Sequence, residues 1–466
     1  MTRIAAIDQG TTSTRCLVVE EGGSASCVAA RRHTQYHPAP NHVEHDPEEL
    51  IANIRAVVAE AGAVDAIAIA NQGESCLAWD AETGRALSPV IVWQDARTTD
   101  DLKALGPEAE ARSKAISGLP LDPYFSASKF RWLLLNNPDV ADAHQQGRLR
   151  LGTTDAFFLD RLTGHFNTDP ATASRTGLLD MATCQWSAEL CELHGVPLSC
   201  LPEICPVDAG FGTFLDIPVK VSIVDQQAAL RGHGCIAHGD CKVTFGTGAF
   251  LLAVTGNEPP RYGDLLPTIG WKCEGLDTVY ALEGGVYDAG AALEWARNAG
   301  LFDSVEELDT FDGPSALSRG LVFVPALSGL AAPHWDRKAA PLFIGMDHAT
   351  TRLDLVRAVL EGIAMLTIGL IEATETVVGR LSRISIDGGL SQNAYFAQFL
   401  ASASGRTIVV PTMHELTALG LAAFCGIDVG TIRGQGRIFE SDGSVSAAQR
   451  TRFEQALGFA KGWRGA

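Results

Sequence analysis

The residues best suited to chemistry lie almost at the midpoint of the chain, at Asp225, Gln226 and Gln227. The apolar run 219–224 before them has the character of a strand, and the small residues 228–230 after them can begin a helix. A carboxylate at a strand end, beside two amides, suits a general base that accepts a proton from a hydroxyl group. An aspartate that only caps the following helix is the alternative interpretation.

Two glycine-rich turns on either side of Asp225 are candidates for phosphate binding. The first is 8–13 (DQGTTS) and the second is 245–248 (FGTG). Glycine allows the backbone to pass close to an anion, and the threonines offer hydroxyl groups and exposed amides. Arg15 could contact a phosphate, and Asp8 could hold Mg²⁺ directly or through water. For the first turn, a hairpin that merely faces solvent is the alternative.

The elements that position these turns follow the same order in both halves of the chain. Short strands are predicted over 4–7 and 14–20 around the first turn, and over 242–245 and 250–254 around the second. We therefore expect two similar lobes that face one cleft, with a hinge at 231–240. Each lobe would offer amides to a different part of one polyphosphate.

Further polar residues follow predicted strands. Strand 64–70 ends in the cluster 71–75 (NQGES), and strand 90–92 ends at Trp93, the position where ligand groups of α/β proteins collect. Strand 384–386 leads into Gly388 and Gly389 and then a helix, an arrangement suited to nucleotide phosphates or adenosine. Other strands are predicted over 321–325 and 408–410. Helices are predicted from 47 (Asp46 as N-cap, Glu49 closing a capping box), over 129–135, 154–162, 353–376, 393–401 and 415–425, and in the tail after Arg433.

Composition places the chain among ordinary globular proteins. Its 466 residues predict two or more domains, and 46% hydrophobic against 20% charged residues allows real cores. The net charge of −19 argues against nucleic acid as a partner, because no basic face would neutralise the phosphates. The 11 cysteines show no CxxC spacing and suit reduced thiols. With no leader and no long apolar window, we expect a cytoplasmic protein without a membrane segment.

An ordered set of motifs resembles the FGGY carbohydrate kinases, and within them most closely the glycerol kinases. The motifs, spread from about Ile4 to about Gly430, are DQGTTSTR, VEHDP, NQGES, VWQDART, DPYFSASK, GTTDAFFLDRLTG, ASRTGLLD, VDQQAAL, FGTGAF, YALEGGV, GLAAPHWD and IDGGLSQN. The resemblance implies an α/β protein with two lobes of the actin/hexokinase-like ATPase fold. Each lobe would contain a ribonuclease-H-like mixed sheet with flanking helices, over residues 1–237 and 238–466.

The resemblance also implies roles for individual residues. Asp225 matches the family's catalytic base, and Asp8 its magnesium-linked carboxylate. The positions that match the family's substrate pocket are Glu74, Trp93, Tyr124, Gln226 and Phe250. Those that match its ATP side are Thr11, Thr12, Ser13, Arg15, Thr247, Gly388, Gly389 and Asn393. The implied activity is phosphorylation of a small polyol or sugar by Mg-ATP, in a homo-oligomer such as a dimer. For Trp93 and Phe250, plain core packing is the alternative.

One position departs from the glycerol-kinase pattern. There the motif reads NQRE and its arginine binds substrate hydroxyls, whereas this chain has Gly73. Glycine is expected to leave a void and an unneutralised Glu74. We therefore expect glycerol to be a poor substrate, and a longer polyol or ketose, such as a tetritol, erythrulose or xylulose, to be preferred. Arg97, from a neighbouring loop, is an alternative source of the missing guanidinium.

Two readings from other functional classes compete with a kinase. One is a catalytically silent sugar or nucleotide sensor on the same scaffold, against which Asp225, Asp8 and both phosphate turns argue. The other is an actin-like ATPase such as a chaperone or filament protein, in which Glu74, Trp93 and Tyr124 would have no use.

Overall fold

Two mixed β-sheets, one from each half of the chain, organise the fold of residues 1–309 and 311–465, which the computed structural model describes. In chain order the strands are β1 (Arg3–Gln9), β2 (Ser13–Glu20), β3 (Ser24–Arg32), β4 (Glu44–His45), β5 (Ala66–Asn71), β6 (Cys76–Asp80), β7 (Val90–Ile91), β8 (Leu149–Thr153), β9 (Asn167–Thr168), β10 (Leu179–Asp180), β11 (Gln185–Trp186), β12 (Glu203–Ile204), β13 (Thr213–Phe214), β14 (Ile217–Val224), β15 (Cys241–Phe245), β16 (Ala249–Gly256), β17 (Leu266–Trp271), β18 (Val279–Val286), β19 (Val322–Val324), β20 (Leu342–Ile344), β21 (Arg383–Gly388), β22 (Thr407–Val410) and β23 (Arg437–Phe439).

Helices flank both sheets. In chain order the α-helices are α1 (Pro47–Glu60), α2 (Thr99–Ser117), α3 (Ser126–Asn136), α4 (Pro138–Gln145), α5 (Thr154–Thr163), α6 (Pro170–Ser174), α7 (Ala188–His194), α8 (Asp225–Gly232), α9 (Gly290–Asn298), α10 (Arg352–Val378), α11 (Ala394–Ser404), α12 (Leu416–Phe424), α13 (Gly430–Arg433) and α14 (Ala447–Ala460). Short 3₁₀ turns lie at Leu198–Cys200, Val305–Leu308, Gly389–Gln392 and Trp463–Gly465.

The two large sheets share an order of five strands when one of them is followed in the reverse direction. These strands are β3-β2-β1-β5-β14 in the first sheet and β18-β16-β15-β21-β22 in the second. The first runs β13-β14-β5-β1-β2-β3 and the second β17-β18-β16-β15-β21-β22-β23. In each, a hairpin and a third strand are antiparallel (β1-β2-β3 and β15-β16-β18), and two parallel strands follow on the other side (β5-β14 and β21-β22). This repeat confirms the predicted pair of ribonuclease-H-like sheets in an actin/hexokinase-like fold.

The central strands of the first sheet are apolar along most of their length because both of their faces are buried. Every residue of β5 is buried, as is the run 4–7 of β1, because helices cover both faces of this part of the sheet. On one face lies a core that includes α1 and α5. On the other face lies a core that joins α8 to α12, although α12 comes from near the end of the chain. The helix α10 is the centre of the core around the second sheet.

The crossing of α8 and α12 depends on two glycines. A Cβ atom at Gly232 would lie 1.9 Å from the carbonyl oxygen of Leu416, and one at Gly420 would lie 1.7 Å from that of Ala228. Only glycine allows the two helix backbones to approach this closely. The last quarter of the chain therefore packs directly against the segment that carries Asp225.

Several local predictions need correction. Asp46 caps α1 as expected, but Glu49 does not close a capping box, because its carboxylate accepts a hydrogen bond from the backbone N–H of Thr34 at 3.1 Å. The connection predicted over 231–240 begins two residues later than expected, at His233, because α8 continues to Gly232. The tail after Arg433 is not helical throughout, because β23 extends the second sheet before α14.

Within the described residues, every helix is too short or too polar to cross a bilayer. All 11 cysteines are free thiols.

Candidate active site

The parallel register of the first sheet brings three polar segments to one edge. Asp8 and Ile223 both lie level with Ala70 of β5, so β1, β5 and β14 end together. Asp8, Glu74 and Asp225 therefore converge at the carboxyl ends of the strands, where open α/β sheets bind ligands. The resemblance implied that these three acids share one site, and the register of the sheet brings them to one edge.

A small cavity of about 90 Å³ lies at this edge. Its lining includes every substrate-pocket residue inferred from the sequence, together with several that were not. The lining residues are Thr11, Gln72, Gly73, Glu74, Trp93, Tyr124, Arg175, Val224, Asp225, Gln226, Gln227, Phe250 and Glu283. The carboxylate, guanidinium, amide and aromatic groups of this lining suit a small polar ligand.

Glu74 is not unneutralised, contrary to the expectation from Gly73. Its carboxylate accepts a hydrogen bond from Arg175 Nε at 2.7 Å, and Arg175 Nη2 lies 3.1 Å from the carboxylate of Glu283. All three side chains are at most 8% exposed. Arg175 thus supplies a guanidinium at the cavity although position 73 lacks one.

Arg97, the other candidate for this role, lies elsewhere. Its guanidinium binds Asp95 at 2.8 Å and Glu44 at 2.6 Å. It fixes the loop that carries Trp93 and does not line the cavity. Space at Gly73 is also limited, because a Cβ atom there would lie 3.1 Å from Val224 Cγ2. The expected void at position 73 is partly filled by that valine.

Glu74 has an unusual backbone conformation. Its φ of 56° is in the left-handed region, which non-glycine residues seldom adopt. Ser126 Oγ donates a hydrogen bond to the Glu74 carbonyl oxygen at 2.8 Å and helps to hold it. Strained backbone of this kind concentrates at functional sites.

Aromatic residues form the apolar wall of the cavity. Trp93 Nε1 donates to Thr11 Oγ1 at 3.0 Å, and its ring meets that of Tyr124 edge-on at 5.7 Å. The buried ammonium of Lys129 donates to the carbonyl oxygens of Tyr124 at 3.0 Å and Trp93 at 3.4 Å. Trp93, Tyr124 and Phe250 are therefore cavity walls, and the alternative of plain core packing does not fit them.

Asp225 has the electrostatic character of a base. Burial raises its pKa to about 8, the charges of Asp8 and Glu74 add to this, and Lys242 opposes it. Its Oδ1 accepts the backbone N–H of Gln226 at 2.7 Å, which leaves Oδ2 available to a ligand. A carboxylate whose pKa lies near neutrality is well matched to accept a proton from a hydroxyl group.

The two phosphate-turn candidates adopt the predicted hairpins. Gly10 N donates to Ser13 O at 3.0 Å, and Gly246 N donates to Gly248 O at 2.9 Å, so both turns are tight. In the second lobe Phe245 lies level with Gly388 across the parallel pair β15 and β21. That brings the turns 246–248 and 388–389 to one edge, as the carboxyl ends of strands do in the first lobe.

Gly388 is the glycine that this edge requires. Its φ is 86°, and a Cβ atom there would lie 2.2 Å from the carbonyl oxygen of Phe245. Gly389 next to it has no atom within 4 Å of the corresponding position and leaves open space. Asn393 caps α11 through Phe396 N at 2.7 Å and also donates to a backbone carbonyl. Its side chain is thus already engaged in holding this edge together.

Of the residues assigned to the phosphate side, Thr11 lines the small cavity, and Thr247 lines the wide cleft beyond Trp93 and Phe250. Thr12 and Ser13 complete the first turn. Arg15 forms an ion pair with Glu415 at 2.8 Å, and its side chain is 44% exposed.

Asp8 fits a site for a divalent cation. Burial raises the pKa of Asp8 to about 6, with Glu415 adding to the effect and Arg15 opposing it. Asp8 and Asp225 are neighbouring, half-buried carboxylates whose charges a cation would neutralise. In the described part of the chain no cluster of three His, Cys, Asp or Glu side chains is suited to a metal ion. Mg²⁺ is usually bound by one or two carboxylates, water and substrate phosphates.

Sequence reasoning assigned no function to Arg175, Glu283, Lys129 or Lys242. Three of them lie inside the recognised motifs ASRTGLLD, YALEGGV and DPYFSASK. The available signal was a charged residue inside an otherwise apolar or small-residue segment, which is rarely buried without a partner.

Comparison with known proteins extends over nearly the whole chain. Residues 3–230 match the N-terminal domain of the FGGY family of carbohydrate kinases, and residues 241–428 match its C-terminal domain. A glycerol kinase of Thermus brockianus is 40% identical over 451 residues, covering 93% of this chain and 91% of that protein. A glycerol kinase of Haloferax volcanii is 39% identical over 462 residues, covering 92% and 90%.

Solved structures show the same similarity. The crystal structure of Plasmodium falciparum glycerol kinase with ADP matches with a TM-score of 0.90 and 30% identity, over 99% of this chain and 98% of that one. A ligand-bound xylulose kinase of Lactobacillus acidophilus matches with a TM-score of 0.86 at 19% identity, over 99% and 97%, which is a likeness of fold.

Proposed function

The chain belongs to the FGGY family of carbohydrate kinases, and from this premise we propose that it phosphorylates a three-carbon polyol, with glycerol as the first candidate. As a member of that family it is a phosphotransferase that uses ATP and acts on an alcohol group. The identity of the acceptor and the roles of individual residues are what we propose here.

The size and lining of the small cavity are the observation behind the choice of acceptor. A volume of about 90 Å³ suits three carbons with their hydroxyl groups better than a pentitol or ketopentose. Arg175 and Glu74 can hold two hydroxyl groups by charge-assisted hydrogen bonds, while Trp93 and Phe250 cover the carbon chain. The relatives at 39–40% identity that carry the name glycerol kinase support the same choice.

The proposed mechanism assigns proton transfer to Asp225. A primary hydroxyl is a weak nucleophile, so the Asp225 carboxylate accepts its proton as the new P–O bond forms. The oxygen then attacks the terminal phosphorus of ATP in line with the departing ADP oxygen. The hairpin amides around Thr11 and Thr247 face the transferred phosphoryl group from opposite lobes and stabilise its charge.

Asp8 is the residue that would hold Mg²⁺ in this scheme. When bound, the ion neutralises phosphate charge and orients the phosphoryl group. Asp8 would hold it through its carboxylate or an intervening water, beside Asp225.

We also propose that the lobes divide near residue 237. The strands of the first sheet lie before Asp225 and those of the second after Asp240. The exception is α12, which belongs to the second half but packs on the first. The free thiols suit a reducing compartment, and we place the enzyme in the cytoplasm.

Acceptor preference tests the proposal directly. With ATP saturating, we expect kcat/KM for glycerol to exceed that for four- and five-carbon polyols and ketoses, measured by coupled ADP release. Gly73→Arg should bring no gain on glycerol, because Arg175 already supplies a guanidinium and Val224 crowds the position. Gly73→Ala is the matched control, since it adds only the Cβ atom.

Two results would contradict this assignment. A preference for a four- or five-carbon acceptor, joined by a gain on glycerol in Gly73→Arg, would restore the longer-substrate alternative. ADP release that needs no acceptor would point to an ATPase, and nucleotide binding without turnover would point to a sensor.

The pH dependence should report the state of Asp225. Because its pKa lies at about 8, the fraction of free enzyme with an ionised base falls as the pH falls below 8. We expect kcat/KM for the acceptor to decline by about tenfold per pH unit on the acid side. A profile that stays flat between about pH 6 and 8, with the fold intact by circular dichroism, would count against Asp225 as the base.

A further inference from the structure

A buried lysine behind the cavity has no assigned role. Lys242 on β15 is 0% exposed. Its ammonium donates to the side-chain oxygen of Gln226 and to Thr244 Oγ1 at 2.9 Å, and it forms an ion pair with no carboxylate of the described residues. A buried ammonium without a directly paired acid is costly and calls for an explanation.

The contact with Gln226 determines how that amide is oriented. An ammonium has donors only, so the carboxamide group must turn its oxygen, and not its nitrogen, towards Lys242. The NH₂ group of Gln226 is then directed away from Lys242, and Gln226 itself lines the cavity. It can donate to a hydroxyl oxygen of the acceptor, whereas the opposite orientation would offer an acceptor atom.

Lys242 also supplies positive charge near Asp225. The groups that face Asp225 are Asp8 from β1 and Glu74 from the end of β5, both acidic, and Lys242 from β15. Among these neighbours the lysine alone favours the ionised carboxylate. Without it, a carboxyl surrounded by two acids would hold its proton more tightly.

The other side of Lys242 faces acids as well. Its charged neighbours besides Asp225 are Asp387 on β21 and Glu283 on β18. The thiol of Cys235 has a weaker effect on Lys242 than these acids. Asp387 in turn lies 3.5 Å from His233 Nε2. Burial lowers the pKa of Lys242, but these three acids oppose that effect and favour the ammonium.

We propose that Lys242 is a positioning residue for the acceptor, which fixes the carboxamide of Gln226 so that its NH₂ group is directed to the cavity. The proposal rests on the proposed function of the same site. It also connects the two halves of the chain, because Lys242 belongs to the strand that leads into the second phosphate turn and Gln226 follows the base.

Three variants test this role of Lys242. Lys242→Met removes both the hydrogen bond and the charge, Lys242→Arg keeps the charge with altered geometry, and Lys220→Met makes the same chemical change at an exposed site. For the methionine variant we expect KM for glycerol to rise about tenfold or more, with KM for ATP changed by less than about twofold.

The arginine variant is expected to raise KM for glycerol as well, because it keeps the charge but alters the contact with Gln226. Lys220→Met should match the parent in KM for both substrates. The proposal is overturned if Lys242→Met, folded and active, keeps the parent's KM for glycerol. If the methionine variant does not fold, an arginine variant with unchanged KM overturns it. Failure of the parent to phosphorylate any polyol would instead defeat the proposed function.

Discussion

Asp225→Asn is expected to lower kcat by about 10²–10⁴, with ATP binding close to that of the parent. Asparagine retains the shape of the side chain and can still accept the backbone N–H of Gln226, but it cannot take a proton from the acceptor. The measurement is coupled ADP release with glycerol, together with nucleotide affinity by calorimetry. Asp277→Asn, at an exposed position, is the control for the same chemical change.

The same substitution should not destabilise the protein. The folded-state pKa of Asp225 is raised, so protonation stabilises the fold at low pH, and that stabilisation is lost as the pH rises through about 8. Asparagine removes the cost of ionising the buried carboxyl. We expect the Tm of the variant to equal or exceed that of the parent above pH 8. Activity within a few-fold of the parent would remove Asp225 from the mechanism.

Arg175→Met should reduce both stability and acceptor binding. It leaves Glu74 and Glu283 buried without a cation, and breaking a buried ion pair in this way costs about 3–5 kcal/mol. Loss of a charged hydrogen-bonding partner at the cavity is expected to lower kcat/KM for glycerol by about ten- to a hundredfold. Thermal unfolding and acceptor kinetics measure the two effects separately. The loss of Tm should be smaller at low pH, where the unpaired carboxyls are protonated.

Arg97→Met provides a matched control for the second effect. Arg97 has a 3% exposed side chain that also pairs with two carboxylates, but it lies outside the cavity. We expect a comparable loss of Tm and a smaller rise in KM for glycerol, because Arg97 reaches the cavity only through the loop that carries Trp93. If both variants alter KM equally, or if Arg175→Met leaves it unchanged, Arg175 has no special role at the acceptor.

Much of the fold could be predicted from the sequence. The buried runs of β1, β5, β14 and β15 are short, apolar and bounded by glycine or polar clusters, and these features predicted the strands and both hairpins. The family resemblance implied the two sheets and one site for Asp8, Glu74 and Asp225, and the parallel pairing of β1, β5 and β14 explains how the three acids meet.

The errors arose where a side chain's partner comes from a distant segment. Glu74 was expected to be unpaired because its neighbour in sequence is Gly73, yet its partner Arg175 lies a hundred positions away. The ion pair of Arg15 with Glu415 likewise joins opposite ends of the chain and could not be predicted from local sequence. Periodicity and local motifs carry no information about such pairs.

The crossing of α8 and α12 has a consequence for synthesis on the ribosome. The first sheet presents an apolar face, including Ile4, Leu17 and Ala68, that α12 helps to cover. Residues 233–424 must be translated before that helix is available. At about 5–20 residues per second this takes on the order of ten to forty seconds. During that interval the nascent N-terminal lobe exposes apolar surface, so we expect it to depend on chaperones until the chain is nearly complete.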